Sequence, residues 1–347
     1  MGAFEYLKKY QYGQVHLKRD EATGLQAIVA VHDSRLGPAM GGCRFVHYNT
    51  DDDALIDALR LARGMTYKSC LAGLAHGGGK SVIIKPKGEF DRKKLFESFG
   101  AFLNDLGGLY ITAEDSGTAM SDMETIRSVT KYVTGVDPKH GGSGDPSPFT
   151  ALGTLRGIEA CVKFAMKRDS LEGLHVAIQG IGNVGYRLAQ LLHEKGAKLT
   201  VADIDKSKVE KAQDELGAQK AGLTDIFGVD CDIVAPCALG SALNPETVPM
   251  LKCKIVAGAA NNQLGSEQMG IDVMKKGILY APDYAINAGG IINVAQEVIG
   301  YDEKISTDKT LAIYDTIYEI SERSAKTETP PGVVADQWVE ELLAKAS

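Results

Sequence analysis

In the first part of the chain, apolar runs alternate with segments of helical periodicity, a pattern typical of a mixed α/β domain. Residues 51–70 carry apolar side chains at three- and four-residue spacing, which predicts an amphipathic helix. Residues 81–84 form a short β-branched run after a triple glycine, and this predicts a strand with Lys80 at its start. The other elements predicted here are strands at 25–31 and 109–112 and a helix at 91–106.

The strongest loop signal lies at residues 140–148, where glycine, serine and proline crowd together, and we place a domain boundary there. Beyond it, strands and helices alternate in the order typical of a doubly wound parallel sheet with right-handed crossovers. The elements predicted in this part are helix 150–167, strand 176–179, helix 183–194, strand 198–202, helix 206–216, strands 232–235, 254–257 and 278–280, and helices 307–327 and 334–345.

A glycine-rich turn in this second part has the spacing of a dinucleotide-binding site. Residues 180–185 match G-x-G-x-x-G between a predicted strand and a predicted helix, so the backbone can approach a pyrophosphate at the helix N-terminus. Asp203 ends the next predicted strand, where its carboxylate suits ribose hydroxyls and repels a 2′-phosphate, which favours NAD over NADP. The candidate dinucleotide-binding residues are Gly180, Gly182, Asn183, Val184, Gly185 and Asp203.

Size, charge and cysteine content narrow the function classes. A chain of 347 residues is expected to form two domains, and its net charge of −7 argues against nucleic acid or an anionic membrane as partner. It shows no signal-peptide pattern and no apolar stretch of about 18 residues that could span a membrane. The six cysteines lack metal-ligand spacing, so we expect reduced thiols in a cytoplasmic protein and no metal site.

A second cluster of unusual residues lies in the first part of the chain. Lys80 follows a triple glycine, and residues 113–115 read Ala-Glu-Asp. Lysine at the start of a strand could lie on the floor of a cleft, but spacing alone fits a solvated strand-end lysine equally well.

Eight segments in the same order resemble the Glu/Leu/Phe/Val dehydrogenase family, and the resemblance covers essentially the whole chain. It is closest to the leucine-specific members. Chance does not produce eight ordered motifs of this length. The matching segments are 36–44 (LGPAMGGCR), 62–68 (ARGMTYK), 77–80 (GGGK), 110–115 (YITAED), 147–150 (SPFT), 235–240 (APCALG), 257–264 (AGAANNQL) and 281–290 (APDYAINAGG).

The resemblance implies NAD-dependent oxidative deamination of an L-amino acid. In that scheme a hydride leaves the α-carbon for NAD, a water activated by Lys80 attacks the iminium, and the adduct collapses to a 2-oxo acid and ammonia. Lys80 must then be neutral for part of the cycle, and burial and the charge of Lys68 would both lower its pKa. Asp115 resembles the acid that shuttles protons at the amino group.

The resemblance also implies binding roles. Lys68 is expected to bind the substrate carboxylate, Gly41 and Gly42 to bring backbone close to the substrate, and Asn287 to orient its amino group. The residues expected near the nicotinamide or the rest of the cofactor are Thr150, Ala238, and Asn261 or Asn262.

Four positions should set the substrate preference: Met40, Ala113, Ile291 and Val294. Members that act on glutamate carry lysine where this chain has Met40, and members that prefer phenylalanine carry glycine where it has Ala113. The chain is therefore expected to reject glutamate and to favour leucine, valine or isoleucine. A phenylalanine or other aromatic amino-acid dehydrogenase stays open, because methionine is adaptable and one methylene contributes only about 1–3 kcal/mol.

By this resemblance we expect an α/β fold of two domains around a cleft that closes on substrate. Residues 1–146 would form a mixed α/β substrate-binding and oligomerisation domain, to which the helix at 330–347 returns, and 147–329 a doubly wound Rossmann domain that binds NAD. Hinges are expected at 141–148 and 288–290.

The expected partners are the amino acid, its 2-oxo acid, ammonia and further copies of the chain. A homodimer is favoured over a higher homo-oligomer, because the chain stops soon after its last helix. The alternative of another class is a non-catalytic module that senses NAD(H), but Lys68, Lys80 and Asp115 are all present.

Overall fold

The computed structural model describes residues 3–10, 13–238 and 240–346. By their internal contacts these residues divide into two compact units. The first unit holds the residues through Asp145, Val294–Glu303 and the described residues from Glu341 onward. The second unit holds Pro146–Asn293 and Lys304–Glu340.

The first unit is built on a mixed five-stranded sheet. Its strands are β1 (Gln14–Asp20), β2 (Leu25–Asp33), β3 (Ala39–Val46), β4 (Gly77–Ile84) and β5 (Tyr110–Glu114), and its main helices are α1 (Ala3–Tyr10), α2 (Asp51–Leu71), α3 (Arg92–Asp105) and α4 (Met120–Arg127). The strand order is β1-β2-β4-β3-β5. The pairs β1–β2 and β2–β4 are antiparallel, whereas β3 runs parallel to both β4 and β5.

Helix α2 covers one face of this sheet. It begins with a capping box between Thr50 and Asp53, and Lys68 lies in its last turn, so charges at both ends suit the helix dipole. Its buried face, which includes Ala58 and Leu59, packs in one cluster with Val82 of β4. The other face of the sheet packs against the phenylalanines of α3.

The triple glycine is part of strand β4, which corrects the expectation that it precedes the strand. Lys80 consequently lies inside β4 rather than at its start. Glycine has a low strand propensity, so the sequence pattern did not indicate a strand at these three residues. In the structure their missing side chains make room for neighbouring residues. A Cβ added at Gly79 would lie 2.7 Å from the ring of Tyr110, for example.

The second unit contains a six-stranded sheet in which all strands are parallel. Its strands are β6 (His175–Gln179), β7 (Lys198–Ala202), β8 (Gln219–Lys220), β9 (Ile233–Pro236), β10 (Ile255–Val256) and β11 (Leu279–Tyr280). The order β11-β10-β9-β6-β7-β8 reverses direction between β6 and β9, so the expectation of a doubly wound Rossmann sheet is confirmed.

Nine helices within the described ranges 146–238 and 240–346 accompany this sheet or follow it. They are α5 (Ser147–Met166), α6 (Asn183–Glu194), α7 (Lys206–Leu216), α8 (Glu267–Lys275), α9 (Asp283–Ile286), α10 (Gly289–Ala295), α11 (Glu303–Leu311), α12 (Ile313–Thr327) and α13 (Pro331–Lys345), with short 3-10 turns at Pro138–His140, Asp225–Gly228, Val248–Met250 and Gln296–Ile299.

One expectation about the C-terminal part was wrong in detail. The helix expected at 307–327 is two helices, α11 and α12, which are separated at Ala312. The division between units falls inside α10 and again inside α13, so only the last turns of α13 count with the first unit. Apolar spacing continues across Ala312 and across the two divisions between units, and for that reason the sequence pattern shows none of them.

Two further properties concern the whole described chain. No helix within residues 3–10, 13–238 or 240–346 is long and apolar enough to cross a bilayer. All six cysteines are free thiols, five of them buried and Cys237 partly exposed.

Candidate active site

Lys80 and Asp115 form an ion pair in the first unit, in which Lys80 is buried and Asp115 is half-buried. The Lys80 side chain is only 6% exposed and its Nζ donates a hydrogen bond to Oδ2 of Asp115. Asp115 follows β5 directly, and β5 pairs with β3 so that Gly42 lies opposite Ala113. Strand β3 also pairs with β4, which holds Lys80, and residues opposite one another in neighbouring strands have side chains on the same face of the sheet. The sheet itself therefore brings Gly42, Lys80 and Asp115 together.

Gly42 leaves the space that this pair occupies. A Cβ added there would lie 2.7 Å from Cβ of Asp115 and 3.3 Å from Nζ of Lys80. A side chain at this position would therefore push the carboxylate and the amine apart. The structure thus gives Gly42 a role toward Lys80 and Asp115, in addition to the close approach to substrate expected from the sequence.

Burial and charge set the protonation of the pair. Burial lowers the pKa of the Lys80 amine from its ordinary 10.5; Asp115 opposes this, and the Arg44 charge adds to it. Burial alone would raise the pKa of the Asp115 carboxyl, but the charges of Lys80 and Arg44 outweigh burial and hold that pKa at about 2. Asp115 therefore stays ionised, and Lys80 is the group that is disposed to lose its proton.

Arg44 is the residue that sequence reasoning missed. It stood inside a quoted motif without a role, and Lys68 was expected to supply the second positive charge near Lys80. In the structure Nε of Arg44 lies 3.4 Å from Oδ2 of Asp115. The signal that could have found it is strand alternation, because Gly42 and Arg44 are two residues apart in β3 and share one face.

The lowered pKa of Asp115 predicts a pH-dependent contribution to stability. A carboxyl with its pKa at about 2 when folded, against 3.8 as the ordinary value, stabilises the fold above pH 3.8 and loses this effect as the pH falls toward 2. The stabilisation should be about 2 kcal/mol at pH 6 and about half of that at pH 3.

Urea unfolding of the wild type and of Asp115→Asn at these two pH values measures the difference directly. The advantage of the wild type should shrink at the lower pH, while the exposed control Asp214→Asn should show no such trend. An advantage that is equal at both pH values would contradict the lowered pKa.

The other candidate residues of the first unit lie on or over the same sheet. Met40 is fully buried in β3, opposite Gly78 and Ile111, and Ala113 is 7% exposed in β5. Lys68 is half-buried in the last turn of α2, the helix that covers the Lys80 face of the sheet. These positions remain predictions as substrate contacts.

The glycine turn in the second unit has the geometry that a dinucleotide requires. Gly180 has a φ of +91°, and a Cβ there would lie 2.6 Å from the Cβ of Ala238, so only glycine fits. Nothing lies within 4 Å of the Cβ position of Gly182, which is the N-cap of α6. That open space, beside the unpaired N–H groups that begin α6 at Asn183 and Val184, fits a pyrophosphate.

Asp203 holds this turn in place. Its Oδ2 accepts a hydrogen bond of 2.7 Å from the N–H of Ile181, and its Oδ1 accepts one from Asp205. Each carboxylate oxygen keeps further acceptor capacity, so the geometry is compatible with the ribose contact expected from the sequence.

Among the remaining candidates of the second unit, Asn261, Asn262 and Asn287 follow strands β10 and β11, at the carboxyl ends where open α/β sheets bind ligands. Asn287 is buried and its Nδ2 donates to Oδ1 of Asn261 at 2.7 Å. Within the described residues its Oδ1 is buried without a hydrogen-bond partner, which leaves an acceptor for a ligand. Asn262 has a φ of +53°, and Thr150 donates to the carbonyl of Pro146 in the first turn of α5.

The two last specificity candidates share helix α10. Ile291 is half-buried and belongs to the second unit, whereas Val294 is 8% exposed and belongs to the first. They are three positions apart in the sequence, so they lie on one side of the helix.

Two family models match the chain. The model described as the Glu/Leu/Phe/Val dehydrogenase dimerisation domain matches residues 10–132. The model described as glutamate/leucine/phenylalanine/valine dehydrogenase matches residues 141–207 and 200–312. Together they cover most of both units.

Curated relatives match over nearly the full length. Leucine dehydrogenase from Geobacillus stearothermophilus is 50% identical over 99% of this chain and 94% of its own length. L-tryptophan dehydrogenase from Nostoc punctiforme is 46% identical over 92% and 90%. Valine dehydrogenase from Streptomyces albus is 42% identical over 96% and 92%.

Solved structures agree with these matches. The crystal structure of L-tryptophan dehydrogenase from Nostoc punctiforme superimposes with a TM-score of 0.89 at 41% identity, over 99% of both chains. A hetero-hexameric glutamate dehydrogenase from Thermus thermophilus gives 0.77 at 22% identity over 99% and 95%, a likeness of fold. The ordered motifs, the two α/β units and these matches agree, and the chain therefore belongs to the Glu/Leu/Phe/Val dehydrogenase family and is an amino-acid dehydrogenase.

Proposed function

We propose that the chain catalyses the reversible, NAD-dependent oxidative deamination of branched-chain aliphatic L-amino acids: leucine, and also valine and isoleucine. Amino acid, water and NAD would give the 2-oxo acid, ammonium, NADH and a proton. The observation that carries the proposal is the buried Lys80 amine, held by Asp115 and disposed to lose its proton.

Lys80 acts as the general base in this proposal. In its neutral form it takes a proton from the water that attacks the α-carbon, and burial supplies the neutral form at a pH where an exposed lysine is charged. Asp115, which is ionised in the free protein, would take up a proton at the amino group and pass it on during the reaction. When bound, the nicotinamide supplies the acceptor for the hydride that leaves the α-carbon.

The chain's other site residues bind and orient. Lys68 would bind the substrate carboxylate as a point charge, and the free Oδ1 of Asn287 would accept a hydrogen bond from the amino group. Gly41 and Gly42 have no side chains and would let the backbone approach the substrate closely.

We propose NAD as the cofactor, held mainly by the turn before α6. Asn183, Val184 and Gly185 would donate their N–H groups to the pyrophosphate, and Asp203 would accept from the ribose and repel a 2′-phosphate. The residues proposed for the nicotinamide side are Thr150, Ala238, Asn261 and Asn262.

The proposed substrate class follows from the residues at the four specificity positions. Met40 is buried and offers no partner to a distal carboxylate, so glutamate would be left with an unpaired buried charge, which costs several kcal/mol. Ala113 narrows the space above β5 relative to glycine, and Ile291 and Val294 are branched. Initial rates of NADH formation with leucine, valine, isoleucine, phenylalanine, tryptophan and glutamate test the assignment, and a maximal rate with glutamate would contradict it.

An aromatic amino acid is the second candidate substrate. The likeness to L-tryptophan dehydrogenase favours it, because that protein superimposes over the whole chain. Met40 is consistent with either class, since its flexible thioether adapts to branched and to aromatic groups. The same panel of substrates separates the two.

Shortening Ala113 should move the preference toward phenylalanine. Ala113→Gly removes one methyl from a buried position of β5, and the deeper space should raise the ratio of kcat/KM for phenylalanine over leucine by about 10-fold or more, as one methylene is worth about 1–3 kcal/mol. Ala101→Gly, at an exposed position of α3, should leave the ratio unchanged. An unaltered ratio in Ala113→Gly removes this residue from the substrate pocket.

We also propose a homo-oligomer, with a dimer as the smallest form, and the expected domain roles. Support comes from the match of residues 10–132 to a model described as a dimerisation domain. The first unit would bind substrate and the second unit NAD. Light scattering at micromolar concentration tests the assembly, and a monomer would contradict it.

A further inference from the structure

We propose that Arg44 is a positioning residue for deamination: it shares the Asp115 carboxylate with Lys80 and is itself fixed by Asp57 and Tyr48. The proposal rests on the assignment of Lys80 as the base. It adds a chain of contacts that runs from helix α2 to the reacting amine.

The contacts form a continuous sequence from the helix to the base. The hydroxyl of Tyr48 donates to Oδ2 of Asp57 at 2.6 Å, and Nη1 of Arg44 donates to the same oxygen at 2.9 Å. Nε of Arg44 then faces Oδ2 of Asp115 at 3.4 Å, the oxygen that Lys80 also contacts. The 3.4 Å contact is ionic, because among the described residues this buried N–H has no hydrogen-bond acceptor.

Two elements hold this sequence of contacts. Arg44 belongs to β3 and Asp57 to α2, and the two elements are joined by the short connection that carries Tyr48. The guanidinium therefore cannot move without breaking its hydrogen bond to Asp57. Its planar shape, with several N–H donors, is suited to contact with two carboxylates at once. Lysine at this position could reach only one of them well.

The charges explain what Arg44 does for the base. Lys80 interacts electrostatically with Asp115, Arg44 and the thiol of Cys43, and burial raises the pKa of that thiol to about 12, so it is neutral. With Lys80 charged, one carboxylate lies between two cations. The two cations, Lys80 and Arg44, repel each other. Loss of the Lys80 proton relieves this repulsion and leaves Asp115 paired with Arg44.

The groups around Arg44 set the size of the effect. They are Asp115, Asp57 and the phenol of Tyr48. Burial and the contact with Asp57 raise the pKa of the Tyr48 phenol, so it stays neutral. Asp57 partly cancels the Arg44 charge at Lys80. Removing either charge should therefore shift the ionisation of Lys80, and the two shifts should have opposite signs.

A cavity beside this network provides a matched control. It has a volume of about 530 Å³, and its walls include Arg44, Asp57 and Arg60. Arg60 is exposed on α2 and the same charge can be removed there. Arg60→Gln tests whether any lost cation near the cavity has the same effect.

The first experiment is the pH dependence of kcat/KM for leucine oxidation in four variants. The ascending limb reports the free-enzyme base. Arg44→Gln should move its midpoint to higher pH by about one unit, and Asp57→Asn should move it to lower pH by a smaller amount, since a nearby charge shifts a pKa by about 1–3 units. Arg60→Gln should stay close to the wild type, and Arg44→Lys, which keeps the charge but reaches only one carboxylate well, should lie between the wild type and Arg44→Gln.

A second readout does not depend on turnover. The ¹³Cε resonance of Lys80, assigned by its loss in Lys80→Arg, reports the protonation of the amine in the whole chain. Its titration midpoint should shift in the same directions in Arg44→Gln and Asp57→Asn. This measurement also serves if Arg44→Gln is too poorly active for a rate profile, and Asp57→Asn serves if Arg44→Gln does not fold.

The outcomes separate the two proposals. Equal midpoints in all variants, or shifts of the same sign in Arg44→Gln and Asp57→Asn, would overturn the role of Arg44 while Lys80 remains the base. An ascending limb that persists in Lys80→Ala would overturn the assignment of the base itself.

Discussion

Replacing Lys80 with alanine should reduce the rate of leucine deamination by about 10²–10⁴-fold, the usual contribution of a positioned acid or base. The physical reason is the burial of its amine beside Asp115, which makes a neutral base available inside the protein. NADH binding should be unchanged, because the proposed cofactor residues belong to the second unit. Stopped-flow or steady-state NADH absorbance measures the first effect, and NADH fluorescence titration measures the second.

The control for this variant is Lys87→Ala, an exposed lysine just beyond β4. It removes the same charge without touching Asp115, and its turnover should match the wild type. Near-normal turnover in Lys80→Ala would mean that another group activates the water.

Gly182→Val should weaken NAD binding while the protein stays folded. The position has an ordinary negative φ of −68° and open space where a Cβ would stand, so the fold tolerates a side chain there. The side chain would instead fill the space proposed for the pyrophosphate, and overpacking of about 1–3 kcal/mol corresponds to a loss of about 5- to 150-fold in NADH affinity.

Two comparison variants make this result interpretable. Gly88→Val adds the same side chain at another open glycine, and both Tm and NADH affinity should stay near those of the wild type. Gly180→Val should lower Tm strongly, because its φ of +91° and the contact with Ala238 leave no room. If Gly182→Val binds NADH with unaltered affinity, the pyrophosphate does not lie over this turn.

The helices of the second unit could be predicted to the residue in two cases. Helices α6 and α7 begin and end where the sequence pattern places them. Local signals mark their ends: Asp205 caps α7 and Gly217 ends it in the left-handed conformation. Strands β10 and β11 are shorter than expected, since an apolar run shows which residues are buried and not how many of them pair.

The first unit was harder to predict because its decisive contacts are non-local. Strand β3 was not predicted, since Gly41 and Gly42 break the β-branched pattern that marks a strand. Only the parallel pairing of β3 with β4 and β5 shows that the glycines leave space for the pair of Lys80 and Asp115. Family resemblance named both residues, but it could not say that they touch.

Arg44 is a second example of a contact that the sequence pattern could not predict. Its motif was quoted, yet no spacing rule links residue 44 to residues 57 and 115. Three separate elements bring these positions together, and burial then makes the charges matter. Sequence patterns predict elements well and predict electrostatic neighbours poorly.

The pH dependence of kcat/KM for leucine oxidation, measured in wild type and Lys80→Ala, tests the central claim most directly. The account predicts a rise through one ionisation with a midpoint below 10.5, the ordinary pKa of lysine, and no such rise in the small residual activity of Lys80→Ala. A profile of the same shape in both proteins would contradict it, because the ionising base would then be a group other than Lys80.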